Sequence, residues 1–476
     1  MKKSLIVVLL CMFLLVVCQS NEHGQSNEHG LSKKNPTQIT IWNYYNGAQA
    51  IAFDKLVTEF NATEGQEKGI VVVSESKGSI DDLVSAIQDS IDGKAGAEKL
   101  PNMFQCYLDV AVDWDEKNDI FVNLDDYVSK EQKAEYIKNY VNEGSFGKNN
   151  EWKLFPFTKS TEVLIFNKTD WEPFAKEYGY TEDDLKTWES IAKVSEDYYK
   201  WSNGKSFFGR DSFANYMIVG SKQLGKEIFK VDSGKGTLQF DEAIMRRLWD
   251  NYYVPFVKGY YGQEGRYRSD DIKLGKIVAM ICSSSSTAYT PSEVTVDGKT
   301  HDIDSVVLPL PNFEGTDAYA VQQGANIGVV KSDETKEYAS VLFLEWLTQT
   351  EQNLEFCVAT GYLPAKKEAS TTKAYNDYVT KNKIEVEALQ NDTFNTALSQ
   401  IESGTMYKEG GFSGEYSARN ILNTSMIELA QKDRKAVLNA VKKGKKEEEV
   451  LKSYLTDEHF KQWYEDTKKK LEEYCK

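Results

Sequence analysis

An alternation of strand-like and helix-like segments in the first quarter of the chain constrains the fold more than any other feature. Residues 38–42 have the apolar, β-branched character of a strand. Apolar residues then recur at the helical spacing i, i+3, i+4 and i+7: Phe53, Leu56, Val57 and Phe60. A second unit follows, with an uninterrupted apolar run at 70–73 and a helix that Ser79 can cap, before a third strand opens at 101–104. Strands separated by helices pair in parallel, so the segment predicts an α/β protein.

The length of the chain, 476 residues, exceeds what one hydrophobic core normally supports and predicts two lobes. The extended segment 152–167, interrupted by Pro156, is the expected crossing into the second lobe. Beyond it, periodicity predicts helices at 187–201, 211–229, 240–257 and 336–357, a charged helix at 447–474, and strands at 277–281, 305–308 and 325–330.

The N-terminus has the pattern of an export signal. Two lysines precede an apolar run from Leu5 to Val17, which is too short to span roughly 30 Å of hydrocarbon as a helix. Leu15 to Cys18 resembles the bacterial lipobox, which implies a lipid on Cys18, although Val17 departs from the small residue usual before that cysteine. Residues 19–30 repeat one polar hexapeptide twice, so we expect a signal peptide at 1–18 and a flexible tether at 19–37.

Composition disfavours nucleic acid as a partner and does not favour a metal site. The chain has 57 basic and 73 acidic residues, a formal net charge of -16, which disfavours nucleic acid as a partner. The four cysteines after the signal, Cys106, Cys282, Cys357 and Cys475, lie far apart without a CxxC pair, so we expect free thiols and no metal site.

Catalytic patterns are scarce. Only four histidines occur, and neither a nucleophile motif nor a dinucleotide or phosphate loop is present, so we expect a protein without catalysis or cofactor. Adjacent carboxylates leave one alternative open, a secreted carboxylate-dependent hydrolase. These pairs are Asp81-Asp82, Asp125-Asp126 and Asp270-Asp271.

The sequence resembles a known family, the extracellular solute-binding proteins of ABC importers (family 1), and within it the glycerol-3-phosphate-binding receptors and their sugar-binding relatives. Blocks in the same order carry this resemblance: Ile41-Trp42 with Phe60-Asn61; 154–161 through 166–168; Gly275 and Ala279-Met280 through Ser286; and 339–346 with 361–364.

That resemblance implies a two-lobed, periplasmic-binding-protein-like α/β fold (type II), with a mixed sheet flanked by helices in each lobe. The expected lobe I comprises 38–152 plus about 303–360, and lobe II comprises 153–302 plus about 361–476. Ligand would bind in the cleft between the lobes, which closes by hinge motion, and ABC permease subunits would receive it. We expect a monomer outside the cytoplasm, anchored to the cell membrane through its N-terminal lipid.

The expected ligand site combines the first strand with positions carried over from the family. Aromatic residues at the end of that strand, Trp42, Tyr44 and Tyr45, stand where such sheets bind ligands. The resemblance implies Ser160, Ser284, Gly324 and Tyr362 at matching positions. The remaining candidates are Ser79, Asp109, Thr161 and Arg266.

The family pattern for phosphate is only half present. An expected tyrosine is replaced by Ile80, and an expected glutamate is replaced by Leu108, although Asp109 follows. The arginine expected near 411–414 has no counterpart there, and Arg419 comes a few residues late. We therefore expect a neutral carbohydrate, with glycerol 3-phosphate or a glycerophosphodiester as the alternative if Arg266 or Arg210 compensates.

Overall fold

The structure is a computed structural model and describes residues 29–232, 234–403 and 406–475. The predicted signal peptide, the Cys18 at which we expect a lipid and the first part of the predicted tether lie outside the described residues.

The first sheet confirms the predicted βαβαβ start of the chain. Its described strands have the order Ile70–Ser76, Thr37–Asn43, Met103–Cys106, Asn326–Val329 and Leu154–Phe155. The first three pair in parallel, with Ile39 opposite Val72 and Ile41 opposite Met103. The strand Asn326–Val329 pairs antiparallel, so the sheet is mixed.

The second sheet is also mixed. Its described strands have the order Ser305–Pro309, Glu162–Asn167, Ala279–Ser283 and Phe208–Arg210. Short two-stranded ladders accompany the sheets: Ser145–Phe146 with Glu151–Trp152, Thr158–Lys159 with Leu363–Pro364, Phe229–Asp232 with Lys235–Leu238, Glu293–Val296 with Lys299–Asp302, and Ala320–Val321 with Met406–Tyr407.

Helices cover both sheets. The longer ones are Gly47–Ala62, Ile80–Ile91, Leu108–Asn118, Lys168–Tyr178, Trp188–Trp201, Phe213–Gln223, Glu242–Asn251, Glu334–Leu347, Thr350–Thr360, Thr372–Asn382, Ala388–Glu402, Glu415–Lys442 and Asp457–Glu472. The shorter ones are Glu64–Lys68, Leu124–Asp126, Lys130–Lys133, Lys138–Glu143, Glu182–Leu185, Tyr253–Val257, Arg268–Lys273, Ser284–Tyr289 and Glu447–Leu451.

Both faces of the first sheet are buried. Ile39 and Ile41 pack with the helices Gly47–Ala62 and Glu334–Leu347, whereas Trp42 and Phe104 pack on the opposite face. Burying one large apolar side chain contributes about 1.5–3 kcal/mol, so these layers hold the strand ends in place.

Several predicted helices end earlier than their periodicity indicated. The helix predicted at 211–229 stops at Gln223, because Gly225 turns the chain at a positive φ and a strand begins at Phe229. The helix predicted at 240–257 divides at Tyr252, and the one predicted at 336–357 divides at Thr348 and Gln349.

Crossing segments join the two sheets. Thr158–Lys159 pairs with Leu363–Pro364, and Ser160 exchanges backbone hydrogen bonds with Gln323 at 2.8 and 3.0 Å. The strand Ser305–Pro309 falls in the range expected for lobe I but pairs with Glu162–Asn167 in the second sheet. A short apolar strand does not show by its own pattern which sheet edge it joins.

The C-terminal range expected for lobe II also contains residues that pack elsewhere. Leu363, Ala365 and Tyr375 are buried in the core of the first sheet. Leu363 belongs to the crossing strand itself and the others follow it, so the chain still packs on the first lobe beyond the boundary expected at residue 360.

The end of the predicted tether is packed on the first lobe. The His29 ring stacks on Tyr338 with centroids 3.8 Å apart, and Thr335 Oγ1 donates to the His29 carbonyl at 2.8 Å. Leu31 is buried in the core of the first sheet. The prediction of a flexible tether up to residue 37 is therefore wrong from His29 onward, because Leu31 supplies an apolar side chain to bury.

Candidate ligand-binding cleft

A cavity of about 350 Å³ opens between the first and second lobes. Its walls include polar residues from both: Tyr107, Asp109, Asn215, Gln323, Lys408, Arg419, Asn420 and Asn423. The volume lies within the range of roughly 300–1,000 Å³ typical of small-molecule sites.

The first lobe presents the carboxyl end of a parallel strand to this cavity. Tyr107 follows the strand Met103–Cys106 directly, and Asp109 lies in the first turn of the helix Leu108–Asn118. Open α/β sheets bind ligands at this edge, in the crevice outside the carboxyl ends of their strands. The predicted site residue Asp109 therefore faces the cavity.

The second lobe contributes Arg419 from the helix Glu415–Lys442. Its guanidinium donates to the Glu409 carboxylate and, at 3.0 Å, to Oδ1 of Asn215. The Nε atom lies 3.8 Å from Asp109 Oδ2, so this ion pair spans the cleft. An arginine that we regarded as displaced in sequence is thus in the site, held by protein groups.

The charges around Arg419 are closely matched. Lys408 Nζ lies 2.6 Å from Glu415 Oε1 and 3.4 Å from Glu409 Oε1. Burial raises the pKa of Glu415 to about 8, with neighbouring carboxylates adding to the effect. Although burial alone would raise it, the charges of Lys408 and Arg419 hold the pKa of Glu409 at about 2.

A buried ion pair fixes the crossing segments beneath the cavity. Lys159 Nζ donates to Glu143 Oε1 and to the Gly324 carbonyl, both at 2.9 Å. Burial lowers the pKa of Lys159. Gln322 and Asn326 also donate to the Glu143 carboxylate, so this one group joins both strands of the crossing.

The carried-over residues Ser160, Ser284 and Gly324, and the further candidate Thr161, lie in or against the crossings. Ser284 N donates to the Thr161 carbonyl at 2.8 Å, and Ser284 Oγ accepts from Thr161 N at 3.3 Å. Gly324 has a φ of +109°, and a Cβ there would lie 3.1 Å from Lys159 Cα. Only glycine adopts this close backbone approach without strain.

Tyrosines form the wall beside the crossings. Tyr44 and Tyr362 have hydroxyl oxygens 3.3 Å apart. Burial raises the pKa of Tyr44, and the neighbouring Tyr107 adds to the effect. The structure therefore brings two predicted site residues together and adds Tyr107, which the sequence analysis did not select.

Other predicted site residues lie elsewhere. Trp42 is only 2% exposed and packs in the core, with Lys77 Nζ 3.9 Å from its ring centroid. Tyr45 packs against Phe356 and other core rings. Ser79 caps the helix Ile80–Ile91, as predicted, and its hydroxyl donates to Asp82 at 2.6 Å.

The two arginines considered as possible substitutes in a phosphate site do not line the cavity. Arg266 is exposed beside the Tyr267 ring. Arg210 is buried and donates to both oxygens of Glu162, at 2.8 and 2.9 Å. The strand that contains Trp42 is buried on both faces, which accounts for the position of this ring without a ligand. The ion pair with Glu162 accounts for the buried Arg210 in the same way.

Comparison with known proteins places this geometry in a family. The model of the bacterial extracellular solute-binding proteins matches residues 55–406, most of the chain. The chain belongs to this family. Its two lobes and the cleft between them are the expected architecture of such a solute-binding protein, and the predicted fold class is confirmed.

One relative of this solute-binding protein is named for binding glycerol 3-phosphate. The sn-glycerol-3-phosphate-binding periplasmic protein UgpB of Shigella dysenteriae is 24% identical over 364 residues, 73% of this chain and 78% of that protein.

Solved structures share the fold. The cyclic alpha-maltosyl-1,6-maltose binding protein of Arthrobacter globiformis has a TM-score of 0.68 at 14% identity, covering 92% of this chain and 100% of that one. UgpB of Mycobacterium tuberculosis, in complex with glycerophosphocholine, has a TM-score of 0.66 at 16% identity, covering 89% and 100%.

The adjacent carboxylates considered for hydrolysis take part in local structure. Asp82 bonds Ser79 at a helix start, Asp125 pairs with Lys133, and Asp271 pairs with Arg268. Within the described ranges, no group of three His, Cys, Asp or Glu side chains could hold a metal ion.

The described cysteines are free thiols, and burial raises the pKa of Cys106, Cys282 and Cys357. Among the helices that the structure describes, none is long and apolar enough to cross a membrane.

Proposed function

We propose that this solute-binding protein is the receptor lipoprotein of an ABC importer and captures a small neutral carbohydrate between its lobes. Closing around the sugar would create the shape that the membrane permease subunits recognise. Residues 29–155 with most of 326–382 would form lobe I, and most of the other described residues would form lobe II.

The charge balance of the cleft is the observation that carries this proposal. Arg419 is bonded to Glu409, and Lys408 contacts Glu415 and Glu409. A phosphate group would have to displace these carboxylates, which costs the buried ion pairs. The rest of the wall contains amide and tyrosine side chains beside the carboxylates Asp109 and Glu143, and these groups suit sugar hydroxyls and rings.

Contacts across the cleft support a closing mechanism. Asp113 Oδ1 of the first lobe accepts hydrogen bonds from Ser413 Oγ and Gly414 N of the second, both at 3.1 Å. The pair Arg419 with Asp109 joins the same lobes. A ligand that contacts both lobes shifts the open-closed equilibrium by its greater affinity for the closed form.

Thermal unfolding with a panel of solutes tests the proposal. A neutral sugar should stabilise the protein by about 2.7 kcal/mol at 100 times its dissociation constant. Glycerol 3-phosphate and glycerophosphodiesters at equal concentration should have no effect. A panel in which no sugar raises the melting temperature contradicts the proposal.

A glycerophosphate ligand is the second candidate, since Arg419 lines the cavity and curated relatives are glycerol-3-phosphate-binding proteins. In that case the phosphate would replace Glu409 as the partner of Arg419. Stabilisation by glycerol 3-phosphate alone would favour this candidate.

A hydrolase would convert at least one member of the panel. Because we propose a receptor, mass spectrometry of the incubated panel should recover every sugar unchanged.

The proposed attachment to the membrane rests on the N-terminal sequence. The export signal and Cys18 would place the receptor outside the cytoplasm with a lipid at its new N-terminus. Mass spectrometry of the mature protein should find diacylglyceryl-modified Cys18 as the first residue. A mature chain that begins after Cys18 and carries no lipid would contradict this part of the proposal.

A further inference from the structure

A second cavity, of about 470 Å³, also lies between the lobes and shares no lining residue with the first. Asn46, which follows the first strand of lobe I, forms one side. Tyr267, Ser286 and Tyr289 of lobe II form the other. Walls from both lobes mean that closure would change the shape of this cavity as well.

A row of tyrosines connects the two cavities. Tyr107 lines the first cavity and lies beside Tyr44, whose hydroxyl oxygen is 3.3 Å from that of Tyr362. Tyr362 follows Gly361, which lies against the backbone of Ser284 and Ser285, and the next residue, Ser286, lines the second cavity together with Tyr289. The two cavities are therefore neighbours.

The second cavity carries large aromatic faces in contact with water. Tyr289 is 58% exposed and Tyr267 is 53% exposed. When a ligand ring covers an exposed aromatic ring, both apolar faces leave water, which favours binding. Two exposed tyrosines at one cavity therefore indicate a site where a ligand ring can stack. Asn46 and Ser286 supply neutral hydrogen-bonding groups beside these rings.

The charges of this cavity are unsuitable for an anion. Asp211 and Asp270 line it together with Lys273. Asp211 Oδ1 lies 3.3 Å from Arg268 Nε, and Asp270 Oδ2 accepts from Tyr267 N at 3.2 Å. Carboxylates can accept hydrogen bonds from sugar hydroxyls, whereas they repel a phosphate.

We infer that the two cavities are parts of one elongated cleft, and that the second holds a further sugar unit against Tyr289 and Tyr267. The ligand is then an oligosaccharide of at least two units, and Tyr289 contributes to the selection of ligand length. This inference rests on the proposed carbohydrate-binding function.

Isothermal titration calorimetry of the mature protein tests it with sugars of increasing length. The probes are mono-, di-, tri- and tetrasaccharides of α-glucan, β-glucan, mannan and xylan type, with glycerophosphocholine as a separate probe. For the linkage type that binds, affinity should rise at least tenfold between the monosaccharide and the di- or trisaccharide. Tyr289→Ala should reduce affinity for the longer sugar roughly tenfold and leave the monosaccharide unchanged.

Two variants serve as controls. Tyr289→Phe keeps the ring and should bind the longer sugar nearly as well as the wild type. Tyr178→Ala removes another exposed tyrosine, 44% exposed and outside both cavities, and should leave every affinity unchanged. Melting temperatures check that each variant is folded.

The outcomes separate this inference from the proposed function. If sugars bind but length and Tyr289→Ala have no effect, or if Tyr289→Ala weakens all lengths equally, the second subsite is refuted and the carbohydrate function stands. If no sugar binds, or only glycerophosphocholine does, both proposals fail.

Discussion

Arg419 provides the sharpest test of how the charges of the cleft are balanced. Its guanidinium donates to Glu409, which is 2% exposed, and to Asn215 Oδ1. Arg419→Gln leaves Glu409 buried beside Lys408, whose Nζ is 3.4 Å away. Removing one partner of a buried ion pair costs roughly 3–5 kcal/mol when nothing replaces it. Because Lys408 remains, we expect a loss of about 2–3 kcal/mol in the free energy of unfolding.

Urea unfolding of a double-mutant cycle measures this loss. Arg419→Gln, Glu409→Gln and the double variant should show a coupling of about 1–2 kcal/mol, because the double variant no longer contains an unpaired charge of that pair. Arg246→Gln, which removes two partly exposed ion pairs, with Asp250 and with Asp457, should change stability by less than about 1 kcal/mol. If Arg419→Gln is as stable as the wild type and instead abolishes binding of glycerol 3-phosphate, the argument for a committed guanidinium is refuted.

Three further substitutions test other parts of the structure. Trp42→Ala should cost about 3–5 kcal/mol of stability and leave sugar affinity in calorimetry unchanged, since the ring packs in the core; lost affinity at full stability would contradict that placement. Gly324→Ala should destabilise more than Gly315→Ala in urea unfolding. Both glycines have positive φ, which costs an alanine about 1–2 kcal/mol, but only Gly324 meets backbone, at Lys159; equal losses would refute this difference. Burial raises the pKa of Glu415 from 4.5 to about 8, so the folded state keeps a proton that the unfolded chain releases, and stability falls as pH rises between those values. Glu415→Gln should flatten that decline in melting temperature, and parallel pH profiles would argue against it.

The beginning of the fold could be predicted because its signals are local. The stripe of Phe53, Leu56, Val57 and Phe60 is fully accounted for by helical spacing, and each of these residues is buried. The break in the helix predicted at 336–357 was missed, because it depends on a distant contact. The hydroxyl groups of Thr348 and Tyr136, which are 212 residues apart in the chain, form a hydrogen bond at 2.8 Å. The Thr348 hydroxyl also donates to the Leu344 carbonyl.

Local signals also pointed to some of the residues at the candidate cleft. Tyr44 and Asp109 follow strands, and the rule that ligands bind at strand ends finds them. Arg419 was discounted because it lies a few residues after the position at which the family has its arginine. The helix Glu415–Lys442 nevertheless carries it into the cavity. Trp42 lies within a strand that is covered on both faces, and aromatic character alone does not distinguish such packing from stacking on a sugar.

The molecule bound by the receptor in its native setting tests the central claim most directly. Protein purified from its source without added solute should be denatured, and the released small molecules identified by mass spectrometry. We predict a neutral oligosaccharide without phosphorus. A glycerophosphodiester or glycerol 3-phosphate as the released ligand would contradict the account.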